Sequence, residues 1–199
     1  FIYIFLQCVL TGVATIVAGY VFSRNRFRFR NTFMLIISST MLFNGGMIPM
    51  YMVVRSLGLL DTRWAIVVPG MLSVFNIIIM RTAMQGISDA LEEAARLDGA
   101  SDWQFLWRVL VPNAKSTITA IGLLQIIGSW NSFMWPLIVT NTEGMRTLPV
   151  GLQAFSSDSG VQYPELMAAS TFVILPMVIM YLLLNKYVVA GISNTGIKG

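Results

Sequence analysis

Residues 85–112 read QGISDALEEAARLDGASDWQFLWRVLVP, a polar segment that interrupts an otherwise strongly apolar chain. Ser88 or Asp89 can cap a helix at the start of this segment, and Glu92 stands at the spacing of a capping-box partner for Asp89. Gly99 can end that helix in a left-handed turn, because glycine adopts a positive φ without strain. Glu92 and Arg96 stand at the i,i+4 spacing of a favourable ion pair. The spacing therefore predicts a helix between these caps that is too short and too polar to span a membrane.

A second short helix is predicted directly after the first. Ser101 can cap it, the helix extends to about Leu110, and Pro112 follows as a stop. The two helices would meet near Gly99. The first helix presents a small, nearly flat apolar surface made of Leu91, Ala94, Ala95 and Leu97. A surface of this kind suits insertion into a groove of another protein.

The sequence on both sides of this segment is typical of a membrane protein. Of the 199 residues, 56% are hydrophobic and only 11% are charged, whereas about a quarter of the residues in soluble domains are charged. A spanning helix needs about 20 mostly apolar residues. We therefore predict an all-α polytopic membrane protein with five transmembrane helices, in the stretches Phe1–Phe22, Phe33–Val54, Trp64–Met80, Thr117–Val139 and Leu166–Tyr187.

The distribution of Lys and Arg predicts the orientation in the membrane. Ten of these residues follow the first, third or fifth stretch, and three lie on the opposite side. This asymmetry predicts that residues 85–112 and the carboxyl terminus are cytoplasmic and that the loop 140–164 faces outward. The start of the chain then lies outside, so we expect a sixth helix before Phe1. We predict a single transmembrane domain over residues 1–199.

The composition excludes several classes of function. The chain has no histidine and one cysteine, Cys8, which removes the usual zinc site and any catalytic Ser-His or Cys-His pair. We therefore predict no catalytic residue and no metal ligand. The net charge of +4 fits basic loops of a membrane protein and predicts no nucleic-acid partner. The arginine-rich loop 24–30 is interpreted as a topological anchor, with contact to a cytoplasmic partner as the alternative.

The segment 85–112 resembles the EAA signature of permease subunits of bacterial ABC importers. The resemblance depends on Glu93-Ala94-Ala95, Asp98-Gly99-Ala100, and Phe105 with Leu110 and Pro112. It extends along most of the chain through Asn44-Gly45-Gly46, Pro49-Met50-Tyr51, Leu57-Gly58-Leu59, Gly128-Ser129-Trp130-Asn131 and the tail 191–199. These features are most similar to the carbohydrate-uptake branch, near the shorter permease of maltose-type importers. Ser193-Asn194-Thr195 departs from the small residues common there, which leaves the subfamily and the substrate open.

The resemblance implies a multi-pass protein of the bacterial inner membrane, whose coupling helix docks on a separate ATPase. The implied ATPase-coupling residues are Glu92, Glu93, Ala94, Ala95, Arg96, Leu97, Asp98, Gly99 and Ala100. Glu93 would be the charged contact and Gly99 the turn. The implied partners are a second permease subunit, an ATP-binding subunit dimer, an extracytoplasmic solute-binding protein and membrane lipid. ATP and Mg²⁺ would bind to the partner ATPase, so this chain is a non-enzyme without a cofactor. The alternative is an amphipathic helix lying on the membrane.

The source of energy can also be argued from the residues themselves. Ion-coupled transporters usually bury ionisable side chains within their helices, and none lies clearly inside the five stretches. The chain also lacks a phosphate-binding loop of the form GxxxxGK[ST]. The driving force is therefore expected to come from another polypeptide. A secondary transporter that binds sodium through backbone carbonyls, and a structural or insertase-like membrane protein, remain as alternatives.

Neutral polar and aromatic residues within the stretches are candidates for the solute path. They are Asn44, Gly45, Asn76, Gln125, Trp130 and Asn131. Amides and aromatic rings suit a neutral sugar or oligosaccharide, whereas an anion would require Arg or Lys there. The alternative role is hydrogen bonding between helices, which we favour for Gln125 and Ser73. An amino acid, a peptide or an ion remains the alternative solute. The loop 140–164 is expected either to contact the solute-binding protein or to form a surface lid, and Gly45-Gly46 to mark a kink.

Overall fold

The computed structural model describes residues 1–43, 45–157, 160–161 and 163–196. Within these ranges the regular secondary structure is helical, apart from a two-residue antiparallel pairing of Ser156–Ser157 with Gly160–Val161. The α-helices are α1 (Ile2–Ser23), α2 (Arg30–Leu42), α3 (Met47–Ser56), α4 (Arg63–Val67), α5 (Val74–Gln85), α6 (Asp89–Leu97), α7 (Asp102–Phe105), α8 (Val111–Asn113), α9 (Lys115–Trp130), α10 (Met134–Val139), α11 (Leu148–Leu152) and α12 (Tyr163–Gly196). A π-helical turn covers Leu106–Leu110, and 3-10 turns cover Glu143–Met145 and Gln153–Phe155. The predicted all-α fold class is confirmed.

The first and last predicted spans are found as long helices. Helix α1 has 22 residues and no charged side chain, and the Ser23 hydroxyl donates a hydrogen bond to the Tyr20 carbonyl at 2.8 Å at its end. Within α12, Tyr163–Leu182 is long and apolar enough to cross a membrane. This helix begins three residues before the predicted Leu166, because Tyr163 and Pro164 form its first turn, where proline is tolerated.

The second predicted span is interrupted at the expected glycines. Helix α2 ends at Leu42 and α3 begins at Met47, so the stretch predicted as a span over Phe33–Val54 is a bent pair of helices, and its crossing of the membrane as one span stays a prediction. Gly46 precedes α3 with φ +85°, a conformation that glycine adopts without strain. The break predicted at Gly45-Gly46 is therefore confirmed. Asn44 lies outside the described residues.

The third predicted span, Trp64–Met80, is also wrong as a single helix. Helix α4 ends at Val67, and α5 begins at Val74. Pro69 lies between them, and it lacks the N–H donor that a helical hydrogen bond at its position would need. The Ser73 hydroxyl then accepts a hydrogen bond from the Asn76 amide at 3.3 Å, and this cap begins the new helix.

The fourth predicted span, Thr117–Val139, ends early. Helix α9 stops at Trp130, and α10 begins at Met134 with Pro136 in its first turn. Proline removes an N–H donor and crowds the preceding turn, and the chain breaks before Pro136, whereas α12 continues through Pro176. The helical segment 102–113 and α9 are bent by 80°. The described residues thus contain two helices able to cross a membrane, or four if each bent pair forms one span, and the predicted count of five is not confirmed.

The chain divides into two compact units. The first contains Phe1–Cys8, Gly45–Met71 and Leu124–Lys186, and its core includes Val54, Ala65, Ile66 and Val139. The second contains residues 9–44, 72–123 and 187–199, and its core includes Ile16, Met80, Met84, Phe105, Leu106, Leu110, Ala114 and Ile121. The single domain predicted over residues 1–199 stays a prediction.

Asp61 fixes the beginning of the loop 140–164 in the first unit. Its carboxylate accepts hydrogen bonds from the Asn141 and Thr142 amides, each at 2.9 Å, and from the Thr142 hydroxyl. The hydrogen bond from the Thr142 hydroxyl has the largest effect on the pKa of Asp61. Together with the bonds from the Thr142 and Asn141 amides, it holds that pKa below its ordinary value. Asp61 has φ 56°, which Asp tolerates better than most residues. The loop therefore has an ordered start, and it continues into α11.

Candidate functional site

Helix α6 begins and ends where the sequence predicts. The Ser88 hydroxyl accepts a hydrogen bond from the Ala90 amide at 3.2 Å, so Ser88 is the cap. Gly99 follows the helix with φ +79°, and the Ala100 amide donates to the Ala95 carbonyl at 2.9 Å. These bonds pair a backbone amide at the start of α6 and a backbone carbonyl at its end, groups that have no partner within a helix of only nine residues.

Glu92 has a different role from the predicted capping-box partner of Asp89. Its carboxylate forms the predicted i,i+4 ion pair with Arg96 at 2.9 Å and lies 3.6 Å from Arg24. With Ser88 as the cap, Glu92 lies on the side of the helix that these arginines approach. The capping-box prediction is therefore wrong, and the prediction of the Glu92–Arg96 pair is confirmed.

The second helix of the segment starts with a complete capping box. The Gln104 amide donates to the Ser101 hydroxyl at 3.3 Å, and the Ser101 amide donates to the Gln104 side chain at 2.9 Å. The helix passes through the π turn and ends after Asn113, so the prediction that Pro112 stops it is wrong. Pro112 lies in the first turn of α8, and its missing N–H donor is tolerated at such a position.

The outer face of α6 is open. Leu97 is 89% exposed, and Leu91 is also exposed. Glu93 and Ala94 are exposed as well, and within the described ranges Glu93 forms no hydrogen bond or ion pair. This face combines a small apolar surface with a free carboxylate, whereas Ala95 packs against the core of the second unit on the inner side.

Arg24 holds the inner face of α6. Its guanidinium pairs with Asp89 at 3.0 Å and donates to the Met84 carbonyl at 2.8 Å. It also stands over the Phe105 ring, 5.7 Å from the ring centroid, in the range of a cation–π contact. Arg24 is only 5% exposed. A charged side chain at such a depth is expected only when it is paired.

Arg81 forms the counterpart of this contact on the opposite helix. Arg24 follows α1 and binds the last turn of α5, whereas Arg81 lies in α5 and donates to the Phe22 carbonyl in the last turn of α1, at 2.9 Å. Arg81 also donates to the Asn31 side chain at 2.9 Å. Cations are favourable near helix carboxyl ends, where carbonyl groups lack partners. The carboxyl ends of α1 and α5 are thus joined by reciprocal arginine–carbonyl hydrogen bonds.

Arg26 contacts the same segment from the surface. It pairs with Asp102 at 3.2 Å, and Asp102 also pairs with Arg96 at 2.7 Å. The Arg26 side chain is 71% exposed and that of Asp102 is 52% exposed. Exposed pairs contribute about 0–1 kcal/mol each. The sequence-based alternatives for the loop 24–30 did not include these contacts within the chain.

The first unit contains a cavity of about 660 Å³. Its lining includes Phe1, Tyr3, Gln7, Ser129, Trp130 and Thr147. The rings of Phe1 and Trp130 are 5.5 Å apart, and the Ser129 hydroxyl donates to the Gln7 side chain at 3.0 Å. The Thr147 hydroxyl is buried without a partner among the described residues. Arg63, Arg146 and Glu143 add charged groups at the exposed part of the lining. A cavity of this size can bury a small ligand.

A protein-family model described as "Binding-protein-dependent transport system inner membrane component" matches residues 12–194. The chain belongs to this family. It is 30% identical over 193 residues to the arabinooligosaccharides transport system permease protein AraQ of Halalkalibacterium halodurans, which covers 96% of this chain and 69% of the relative. It is 32% identical over 198 residues to the probable ABC transporter permease protein YurM of Bacillus subtilis, covering 98% and 66%.

A solved structure gives the same result for the fold. The chain matches a subunit in the crystal structure of a bacterial ABC transporter involved in the import of the acidic polysaccharide alginate, with a TM-score of 0.87 and 35% identity. The match covers 94% of this chain and 71% of the other. The permease described here spans about two thirds of the length of the curated relatives it matches. Members of its family are transport components rather than enzymes.

Two of the candidate solute-path residues of the permease line cavities of the first unit. Trp130 lines the large cavity, and Gln125 lines a smaller one of about 280 Å³. The Gln125 amide donates to the Ser129 hydroxyl at 3.3 Å. The exposed Asn131 amide donates to the Ile127 carbonyl of its own helix at 2.9 Å. Asn76 is buried in the second unit.

The two remaining candidates lie at the break before α3. Gly45 is in the first unit, outside both cavity linings, and Asn44 lies outside the described residues. The sequence does not mark Gln7, Arg63 and Thr147 as a group, because these three residues are far apart in the chain and only the fold brings them to one cavity. The one available signal was the polar Gln7 within an apolar stretch.

Proposed function

We propose that this chain is the transmembrane permease subunit of an ATP-driven importer for a sugar or oligosaccharide. The observation that carries the proposal is the two-sided surface of α6. Its inner face is bonded through Arg24, while its outer face exposes Glu93, Ala94 and Leu97. A short helix with a fixed inner face and an open outer face is suited to insertion into a groove of another protein.

In this proposal the partner is an ATP-binding subunit dimer, and the contact lies within the nine residues from Glu92 to Ala100, on the side of α6 that exposes Glu93, Ala94 and Leu97. ATP and Mg²⁺ bind to that partner, and ATP-driven closing of the dimer moves the permease from an inward-facing to an outward-facing state. A second permease subunit and an extracytoplasmic solute-binding protein complete the importer. The asymmetry of Lys and Arg supports a cytoplasmic α6 and a cytoplasmic carboxyl terminus.

The chemistry of the large cavity supports a saccharide as solute. Trp130 and Phe1 provide aromatic faces, and Gln7 and Thr147 provide polar groups for hydroxyls. The sequence-based preference for a neutral solute rested on stretches without Arg or Lys, but Arg63 and Arg146 line this cavity together with Glu143. The proposed solutes therefore include acidic as well as neutral oligosaccharides. The relatives named above agree with both, since their names specify arabinooligosaccharides and alginate.

The proposal is tested by reconstituting the permease in liposomes with candidate partner permease, ATP-binding and solute-binding subunits. Neutral oligosaccharides, acidic oligosaccharides, amino acids and peptides are compared for stimulated ATP hydrolysis and uptake. We expect a saccharide to stimulate ATP hydrolysis and uptake, and we expect amino acids and peptides to stimulate neither. We also expect Trp130→Ala to reduce uptake by roughly two- to tenfold through the lost aromatic contact, whereas Phe172→Ala, on the exposed surface of α12, should leave it unchanged.

Two outcomes would contradict the proposed function. Uptake by this chain alone, driven by an ion gradient without the ATPase, would identify a secondary transporter. Stimulation by amino acids or peptides and by no saccharide would identify a permease for a different solute.

A further inference from the structure

We infer that Arg24 is the positioning residue that transmits movement of α6 to α1 and α5. This inference rests on the proposed function, because it assumes that α6 receives movement from an ATPase. Arg24 is the first residue after α1, and its guanidinium contacts α6 at Asp89 and α5 at Met84. One buried side chain therefore bridges three helices of the second unit.

The bridge is directional because of the geometry of the guanidinium. The Nη1 atom points to the carboxylates of α6, at 3.0 Å from Asp89 and 3.6 Å from Glu92. The Nη2 atom donates to the backbone carbonyl of Met84. A planar guanidinium holds its donors in fixed relative directions. A displacement of α6 therefore pulls on the last turn of α5 through one rigid group.

The position of Arg24 is determined by these contacts rather than by ordinary surface pairing. The side chain is 6% exposed, and its Nε atom is buried without an acceptor among the described residues. A buried donor without a partner is unfavourable, so the remaining contacts of Arg24 must offset that cost. Salt screens a buried pair less than an exposed one. The Asp89 side chain of this bridge is 64% exposed, whereas the hydrogen bond of Arg24 to the Met84 carbonyl is buried, so we expect salt to weaken the bond to Met84 least.

The reciprocal bond of Arg81 explains why α1 follows the movement. Arg81 ties α5 to the Phe22 carbonyl at the end of α1. Gly19 of α1 also lies against Met80 and Arg81 of α5, with no room for a Cβ. The two helices are in close contact where Arg24 acts, so force applied at Met84 reaches both.

The test uses the assembled importer in liposomes and compares Arg24→Gln with Arg26→Gln. Both changes remove one arginine that contacts the same segment, but only the first removes a buried bridge. We expect the ATPase to co-purify with both variants, because the outer face of α6 is unchanged. We expect Arg24→Gln to lower solute uptake per ATP hydrolysed by about tenfold, which corresponds to roughly 1.4 kcal/mol of coupling. Arg26→Gln should remain within about twofold of the unmodified protein.

Rescue distinguishes positioning from general stability. Arg24→Lys keeps the charge but not the two-pronged geometry, so we expect an intermediate ratio of uptake to hydrolysis with an unchanged melting temperature. If Arg24→Gln does not fold, Asp89→Asn is tested in its place. This substitution weakens the same bridge, because Asp89 is the exposed carboxylate that pairs with Arg24. We expect it to lower the ratio as well.

Three results would overturn the inference. The first is an equal ratio of uptake to hydrolysis in Arg24→Gln and Arg26→Gln. The second is a folded Arg24→Gln variant that no longer binds the ATPase, since Arg24 would then act in docking. The third is an unchanged ratio in Asp89→Asn when Arg24→Gln does not fold. A failure of the proposed function is distinguishable from all three, because the unmodified permease would then fail to bind the ATPase.

Discussion

Glu92 and Glu93 are adjacent in the sequence but have different surroundings in the fold. The Glu92 side chain is 15% exposed and lies close to both Arg96 and Arg24. Glu93 is exposed and forms no ion pair among the described residues. The difference follows from the helical period, since consecutive residues are rotated by about 100° around the axis. Glu92 therefore belongs to the internal contacts of the permease, whereas Glu93 is free to meet a partner.

This difference leads to a prediction for charge reversal at Glu93. Glu93→Lys removes no internal bond, so we expect the melting temperature of the permease in detergent to stay unchanged. We expect ATPase co-purification to fall by about tenfold or more, because like charges across an interface cost several kcal/mol. Pull-down with a tagged permease measures ATPase binding, and thermal unfolding of the same preparation in detergent measures the melting temperature.

The control for this prediction is Glu165→Lys. Glu165 is exposed in the first turn of α12, so the substitution changes the net charge by the same amount away from α6. Normal ATPase binding by Glu93→Lys would show that this carboxylate does not contact the ATPase.

At the residue scale, local patterns were predictable and distant contacts were not. The cap at Ser88, the turn at Gly99 and the Glu92–Arg96 pair all depend on spacings of a few residues, which the sequence displays directly. The contact of Arg24 with Asp89 joins residues 65 positions apart. A count of arginines in a loop gives orientation, but it cannot show which acid each arginine meets.

At the element scale, α1 and α5 depend on a close approach at Gly19. A Cβ placed on Gly19 would collide with Cγ of Met80 and would lie 2.9 Å from its Cβ and 3.3 Å from the Arg81 amide nitrogen. These atoms lie at or near the backbone of α5, so they cannot move aside without moving the helix. Small residues permit such contacts between membrane helices.

Gly19→Ala is therefore expected to destabilise the permease by about 1–3 kcal/mol through overpacking. Gly12→Ala is the matched control, because Gly12 lies on the same helix and a Cβ there meets nothing within 4 Å. Thermal unfolding in detergent compares the two variants. A lower melting temperature is expected for Gly19→Ala and an unchanged one for Gly12→Ala. Equal melting temperatures would contradict the close packing at Gly19.

The predicted spans show what an apolar window can and cannot locate. The composition identified α1 and most of the apolar part of α12, which continues through Pro176. The composition missed the breaks near Pro69 and before Pro136, because the mean hydropathy of a stretch gives proline no special weight. The missing N–H donor of proline is a local effect, but prolines alone do not locate the breaks, since the same reasoning would predict one at Pro176.

At the scale of the whole molecule, the orientation of the permease is accessible to thiol labelling. The chain has one native cysteine, Cys8, so Cys8→Ser gives a background without thiols. Two variants are made separately in this background, Arg28→Cys and Asn141→Cys, both at exposed positions. In intact cells, a membrane-impermeant thiol reagent is expected to label the variant at 141. The variant at 28 is expected to react only after permeabilisation.

This expectation follows from the distribution of basic residues, with ten on one side of the predicted membrane and three on the other. Labelling of the variant at 28 in intact cells, without labelling of the variant at 141, would reverse the proposed orientation. It would also place α6 on the side where no cytosolic ATPase can reach it.

The reciprocal arginine bonds between α1 and α5 have a consequence for sequence change. Their acceptors are the main-chain oxygens of Phe22 and Met84, which every amino acid carries. Substitutions at 22 or 84 that preserve the helix therefore leave both acceptors in place, whereas loss of either arginine removes a donor. We expect both hydrogen bonds to persist through such substitutions, with packing of the buried Met84 side chain as the limit at that position, and to be lost on replacement of Arg24 or Arg81.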